Sequence, residues 1–181
     1  MSTVSHRVFR RRHPDISRLD ENILRMVGCR DCLNRAAELV RDVPGPVFEL
    51  GLGNGRSYDH LRRLFPDREI YVFERKVAAH PDCVPEADRL FLGDIHETLP
   101  AAARRFPRQG ALLHADVGGA DPDVNDRLAA LVARYVPELL RPEGIAVTSV
   151  ACPELEPAER PDTVDPKSYF MYRPRRQVSD G

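Results

Sequence analysis

The chain has 181 residues, 42% hydrophobic and 30% charged, which is the composition of an ordinary folded domain with enough length to bury a full core. A formal net charge of -1 argues against a partner recruited by bulk charge, such as nucleic acid or an anionic membrane surface. No apolar run approaches bilayer length, the arginines at 10–12 lead into no signal-peptide apolar segment, and four cysteines do not make a disulfide framework in a chain this long; the reading is a reduced, cytoplasmic protein.

Residues 1–14 are basic and aperiodic and read as a flexible arm ahead of one domain at 15–181. From Ile16 to Val40 apolar residues recur at helical spacing: Leu19, Ile23, Met26 and Val27, then Leu33, Ala36, Ala37 and Val40, with Gly28 a candidate break between two helices. Pro44-Gly45-Pro46 stops this region and hands over to a first strand at Val47. A helix over 57–65 precedes a second strand over 69–73, and a third short strand covers 89–92. A helix over 95–106, a fourth strand over 111–115, a long helix over 122–140 and a fifth strand over 144–150 follow. Strands alternating with helices predict an α/β, Rossmann-like, doubly wound and mostly parallel sheet behind N-terminal helices. Beyond Cys152, Pro153, Pro157, Pro161 and Pro166 punctuate a polar loop, and one strand-like run remains, Tyr169-Phe170-Met171-Tyr172, so the C-terminal strand region is expected to be shortened.

The first strand runs Val47-Phe48-Glu49-Leu50 into Gly51-Leu52-Gly53-Asn54-Gly55-Arg56, and the second ends on an acid, Glu74. Glycines at such a turn open backbone conformations closed to other residues and let a ligand approach the main chain. An acid at the tip of the next strand is placed to accept hydrogen bonds from ribose hydroxyls. Together they point to a nucleoside-containing cofactor. Arg56 stands where a dinucleotide fingerprint has its third glycine, which argues against a nucleotide-dependent oxidoreductase, and no Gly-Lys-Ser/Thr forms a Walker phosphate loop.

From Val47 to Val150 the chain resembles the class I methyltransferases that use S-adenosyl-L-methionine, and Phe48 to Arg75 looks like a small bacterial single-domain group of them. The resemblance rests on four ordered motifs: Glu49 to Gly55, then Glu74, then Gly93-Asp94-Ile95, then Asp116 after the fourth strand. It implies that Gly51, Gly53, Asn54 and Gly55 pass under the methionine part of the cofactor while Glu49 helps hold its ammonium group. It implies that Glu74, beside Arg75, binds the ribose, that Asp94 and the Ile95 backbone take adenine, and that Asp116 faces the methyl group as a candidate catalytic residue. The expected function is methyl transfer to a small-molecule acceptor. The alternatives are a non-catalytic cofactor-binding protein on the same fold and an RNA methyltransferase using the arginine-rich arms.

Each acid also has a structural reading. Asp94 can cap the helix that follows, and Asp116, before Gly118-Gly119, can shape a turn. His114 inside a strand reads as a hydrogen-bonded core residue rather than a base. The Asn-Pro-Pro-aromatic motif of amino-group methyltransferases is missing. Asp121, Asp123, Asn125 and Asp126 invite a magnesium reading, but Val150-Ala151-Cys152-Pro153 stands where the metal-dependent group supplies an Asp-Asn pair, so they read as a helix start and no metal is expected. Cys29 and Cys32, spaced like zinc or redox ligands, fall in a helical region and read as incidental. With one convincing strand after the fifth, the far sheet edge reads as incomplete, which predicts a homo-oligomer.

Overall fold

The computed structural model describes residues 13–119 and 121–175; most of the expected basic arm, and Arg176 of the C-terminal basic run, lie outside them. Helix α1 (Arg18–Leu39) starts where the Ser17 hydroxyl accepts from the Asp20 N–H at 3.0 Å. It then runs unbroken through Gly28, against the expected division into two helices. The glycine serves packing: a Cβ there would sit 2.8 Å from the Ser168 hydroxyl and 3.3 Å from Tyr169 Cβ.

Strand β1 (Val47–Leu50), helix α2 (Arg56–Leu64), β2 (Ile70–Glu74), β3 (Leu90–Leu92), α3 (Ile95–Arg105), β4 (Gly110–Ala115) and α4 (Pro122–Leu139) follow in order. β5 (Leu140–Thr148), β6 (Glu156–Pro157) and β7 (Phe170–Arg173) complete the chain. β5 leaves α4 without a loop, four residues earlier than the apolar run suggests, and its ladder to β4 shifts register between Gly110 and Leu112.

The seven strands form one sheet in the order β3-β2-β1-β4-β5-β7-β6. The first five are parallel, and β7 runs antiparallel between β5 and β6. All of β1 and β4 is buried because both faces are covered. One face packs Phe48, Leu50 and Leu113 against α3 and α4. The other packs Val47, Val72 and Leu112 against α1 and α2.

The far edge corrects the sequence reading. β7 is the run seen in the sequence, but a further strand, β6, lies outside it, only two residues long and ending in proline. So short a strand carries too little periodicity to be legible, and its proline blunts the edge. β6 thus takes the edge position beside β7, pairing through Glu156 and Pro157.

Candidate active site

The C-terminal ends of β1, β2 and β4 converge on the glycine turn. Gly51 has φ +88°, its N–H donates to the Phe73 carbonyl at 2.9 Å, and a Cβ there would stand 2.9 Å from the Asp116 carbonyl oxygen. Gly53, at φ +50°, has nothing within 4 Å of where a Cβ would point, so this part of the turn faces open space. Gly55 differs. A Cβ there would lie 2.4 Å from Cys83 Cβ, so this glycine is spent on packing at the start of α2.

Two cavities flank the turn. One, of about 350 Å³, lies under α1 and is lined by Arg25, Met26, Cys29 and Leu33 together with Gly53 and Asn54. The other, of about 620 Å³, is lined by Glu74, Arg75, Asp94, Ile95 and the segment after β4. Gly51 and Asp116 line both, so the cavities meet at these residues. Glu49 and Gly55 line neither, unlike the other residues singled out in the sequence.

Glu74 Oε2 accepts from the N–H groups of Leu52 (2.8 Å) and Gly53 (3.2 Å), and Oε1 from those of Arg75 (2.8 Å) and Lys76 (3.0 Å). Burial pushes its pKa up, but these four donors outweigh burial and hold the carboxyl below its usual range. A carboxylate has about four lone-pair sites, so backbone donors use its full capacity. A ribose reaching Glu74 must share or replace the bonds from Leu52 and Gly53. Glu74 thus ties the turn to β2 and also lines the larger cavity.

Asp94 caps α3, accepting from the His96 N–H at 2.9 Å while remaining exposed beside Ile95. Capping uses one oxygen and leaves the other free to accept. Asp116 pairs with Arg25 of α1 at 2.6 Å, so this helix reaches across the cleft to the end of β4. Arg25 carries no sequence signal of its own, since only the fold brings the two together. The acidic run after β4 has a structural explanation: Asp121 caps α4 through the Asp123 N–H at 3.0 Å, and Asn125 brackets Gly119 through N–H and carbonyl bonds of 2.8 and 2.9 Å. Among the described residues, no group of three or more His, Cys, Asp or Glu is placed to hold a metal ion.

Glu49 departs most from its sequence reading. It is fully buried, with Oε2 at 2.6 Å from His114 Nδ1 and Oε1 accepting from the Ser57 hydroxyl. Parallel register explains the contact, because Glu49 and His114 are paired across β1 and β4 and point to the same face. With both oxygens engaged and no exposed surface, its carboxylate is not presented to a ligand's ammonium group. Burial by itself pushes the His114 imidazole down; the Glu49 carboxylate, helped by Cys29, outweighs it and holds the pKa well above the usual histidine range. His114 Nε2 meets the Tyr169 hydroxyl at 3.2 Å and Cys29 Sγ at 3.6 Å.

The mostly parallel sheet is the α/β architecture expected, and comparison with known proteins decides the family. A family model described as S-adenosyl-L-methionine methyltransferase matches residues 16–174. The chain belongs to this family. A crystal structure of an S-adenosyl-L-methionine methyl transferase from Silicibacter pomeroyi DSS-3 is 46% identical, with 88% of this chain and 99% of that one covered at a TM-score of 0.82. Human methyltransferase-like protein 13, solved in complex with SAH, is 16% identical over 86% of this chain and 85% of its own, with a TM-score of 0.55. The TDP-rhamnose 3'-O-methyltransferase CalS11 is 18% identical over 87% and 80%, also at 0.55. These two show the shared fold alone. No curated protein matches the sequence. The protein is thus an S-adenosyl-L-methionine-dependent methyltransferase with an α/β Rossmann-like fold. No helix among the described residues is long and apolar enough to cross a membrane.

Proposed function

We propose that this methyltransferase acts on a small molecule that enters the cleft under α1, with the cofactor lying across the glycine turn. The observation that carries this reading is the pair of cavities meeting at Gly51 and Asp116. The larger one offers the acids suited to a nucleoside: Glu74 for the ribose, Asp94 and the Ile95 N–H for adenine, with Arg75 on the rim. The turn at Gly51, Gly53 and Asn54 carries the chain of the cofactor past Asp116. The smaller cavity is of small-ligand size.

S-adenosyl-L-methionine supplies an electrophilic methyl group on a sulfonium, and transfer is an in-line displacement, so alignment provides much of the rate. Asp116 is the candidate to orient the acceptor or take its proton. Arg25, 2.6 Å away, fixes the direction of that carboxylate and positions it without touching the reacting atoms. Glu49 and Gly55 are assigned to support of the turn rather than to cofactor contact.

Turnover is tested by incubating the protein with labelled cofactor and panels of hydroxyl, carboxyl, thiol and amine acceptors, with release of S-adenosylhomocysteine as readout. An Asp116→Asn variant should bind cofactor normally and turn over at least about tenfold more slowly. Undiminished turnover would remove Asp116 from the reaction. Salt-dependent binding of RNA, together with no turnover on small acceptors, would favour the RNA reading.

A further inference from the structure

Cys29 is not used by the methyl-transfer reading, and its surroundings are unlike those of the other three cysteines. Its sulfur lies 3.6 Å from His114 Nε2, and the other nitrogen of that ring is 2.6 Å from the Glu49 carboxylate. Nucleophile, imidazole and orienting carboxylate therefore stand in the order that activates cysteine in covalent catalysis. Each comes from a different element, α1, β4 and β1, so the arrangement is not a by-product of local sequence. Glu49 and His114 have no exposed surface, whereas Cys29, 7% exposed, lines the cleft under α1 beside Arg25 and Leu33. The groups facing the sulfur are the His114 ring, the Tyr169 hydroxyl behind it, and Arg25 one turn earlier on α1, itself paired with Asp116. His114 and Arg25 are the cationic side chains nearest the sulfur.

We propose that Cys29, His114 and Glu49 form a nucleophilic triad opening into the cleft, which makes Cys29 a covalent modification site for small, soft carbon electrophiles. In the reacting form the sulfur is a thiolate whose proton has passed to water, and His114, protonated on both nitrogens, donates Nδ1–H to Glu49 and turns Nε2–H to the sulfur. The sulfur lone pair forms a C–S bond, the leaving group departs with its bonding pair, and His114 stays protonated. With iodoacetamide as probe the products are a carbamidomethyl thioether, iodide and one proton. The thioether then fills space in the cleft that Gly51, Gly53 and Asp116 also line, so modification obstructs the entry proposed for the acceptor beside the glycine turn.

The other cysteines are internal controls. Cys83 is more exposed than Cys29, so accessibility alone would make it label first, whereas Cys32 and Cys152 are buried, with thiols pushed up to about 12 by burial. The folded wild-type protein is treated with substoichiometric iodoacetamide at neutral pH, and peptides are quantified by mass spectrometry. Cys29 should label about tenfold faster than Cys83, and saturating S-adenosylhomocysteine should slow Cys29 alone. Labelling of Cys29 no faster than Cys83 overturns the triad, and a Cys29 rate unmoved by S-adenosylhomocysteine overturns its opening into the cleft beside the glycine turn. In Glu49→Gln and His114→Gln the Cys29 rate should fall about tenfold while Cys32 and Cys152 stay unlabelled. Retained selectivity in a variant whose Cys32 and Cys152 remain protected also refutes the triad, and if both variants unfold the wild-type ratio decides.

Discussion

Replacing Glu49 and His114 together by neutral amides, Glu49→Gln with His114→Asn, should flatten the dependence of stability on pH above neutrality. In the folded protein the imidazole is held well above its usual range, burial notwithstanding, by the carboxylate at 2.6 Å. Below about pH 6.5 both folded and unfolded histidine carry the proton, and the pair contributes in full. Above it the unfolded ring loses the proton while the folded ring keeps it. Unfolding then releases a proton, and stability falls as pH rises toward the folded pKa. The slope limit for one proton is about 1.4 kcal/mol per pH unit, so the loss between pH 7 and 8.5 is at most about 2 kcal/mol. For a chain of this size the Tm should fall over that range by no more than about 8 °C. The window avoids His60, pushed down by burial and then by Arg30, which acts below 6.5. Cys32 and Cys152, with thiols pushed up to about 12 by burial, lower stability toward the top of the window in both proteins alike, so the difference between the two slopes reports the pair. Thermal unfolding followed by circular dichroism at half-unit steps reads both slopes. The double variant remains foldable on this reasoning, because a buried ion pair exchanged for neutral groups of similar size costs far less than one partner removed alone. Equal slopes in the two proteins would refute a buried imidazolium.

Glu74→Ala should weaken S-adenosyl-L-methionine binding about 10–100-fold by calorimetry, since both the ribose acceptor and the tie between turn and β2 are lost; unchanged affinity in a folded variant would sink the assignment. Gly53→Ala separates fold from site: with φ +50° and no neighbour within 4 Å, it should cost only about 1 kcal/mol of stability. Its cofactor affinity should nonetheless drop at least about tenfold, because the methyl enters the space over the turn. Arg25→Met breaks an ion pair whose side chains are 36% and 27% exposed, so stability should move by no more than about 1 kcal/mol. Turnover should fall with cofactor binding intact, and a parallel loss of both would show Arg25 holding the cofactor instead.

Five parallel strands and the glycine turn were legible because their signals are local: apolar runs, punctuating glycines and prolines, and acids at strand ends. Glu74 stands out as an acid at a strand end, whereas Asp94 and Asp116 are singled out only by the family resemblance. What escaped depends on register and on chain ends meeting. Glu49 looks like any acid before a glycine turn until pairing of β1 with β4 sets it against His114, and its full burial follows from that pairing. Arg25 and Tyr169 belong to the first helix and the last strand region, and no spacing rule joins residues so far apart. β6, two residues long, has no period to detect. Gly28 reads as a helix breaker by composition, yet its missing side chain is what lets α1 lie against Ser168 and Tyr169.

The position of β7 has a consequence for how the chain emerges from the ribosome. It is last in sequence but penultimate in the sheet, and it holds β6, made earlier, in place. Until residues 170–173 are synthesised, β5 keeps an unpaired edge. Long-range pairings of this kind form late and leave edges open to wrong partners meanwhile. A chain stalled before residue 170 should therefore carry every acid around the glycine turn on a sheet whose β5 edge is still open.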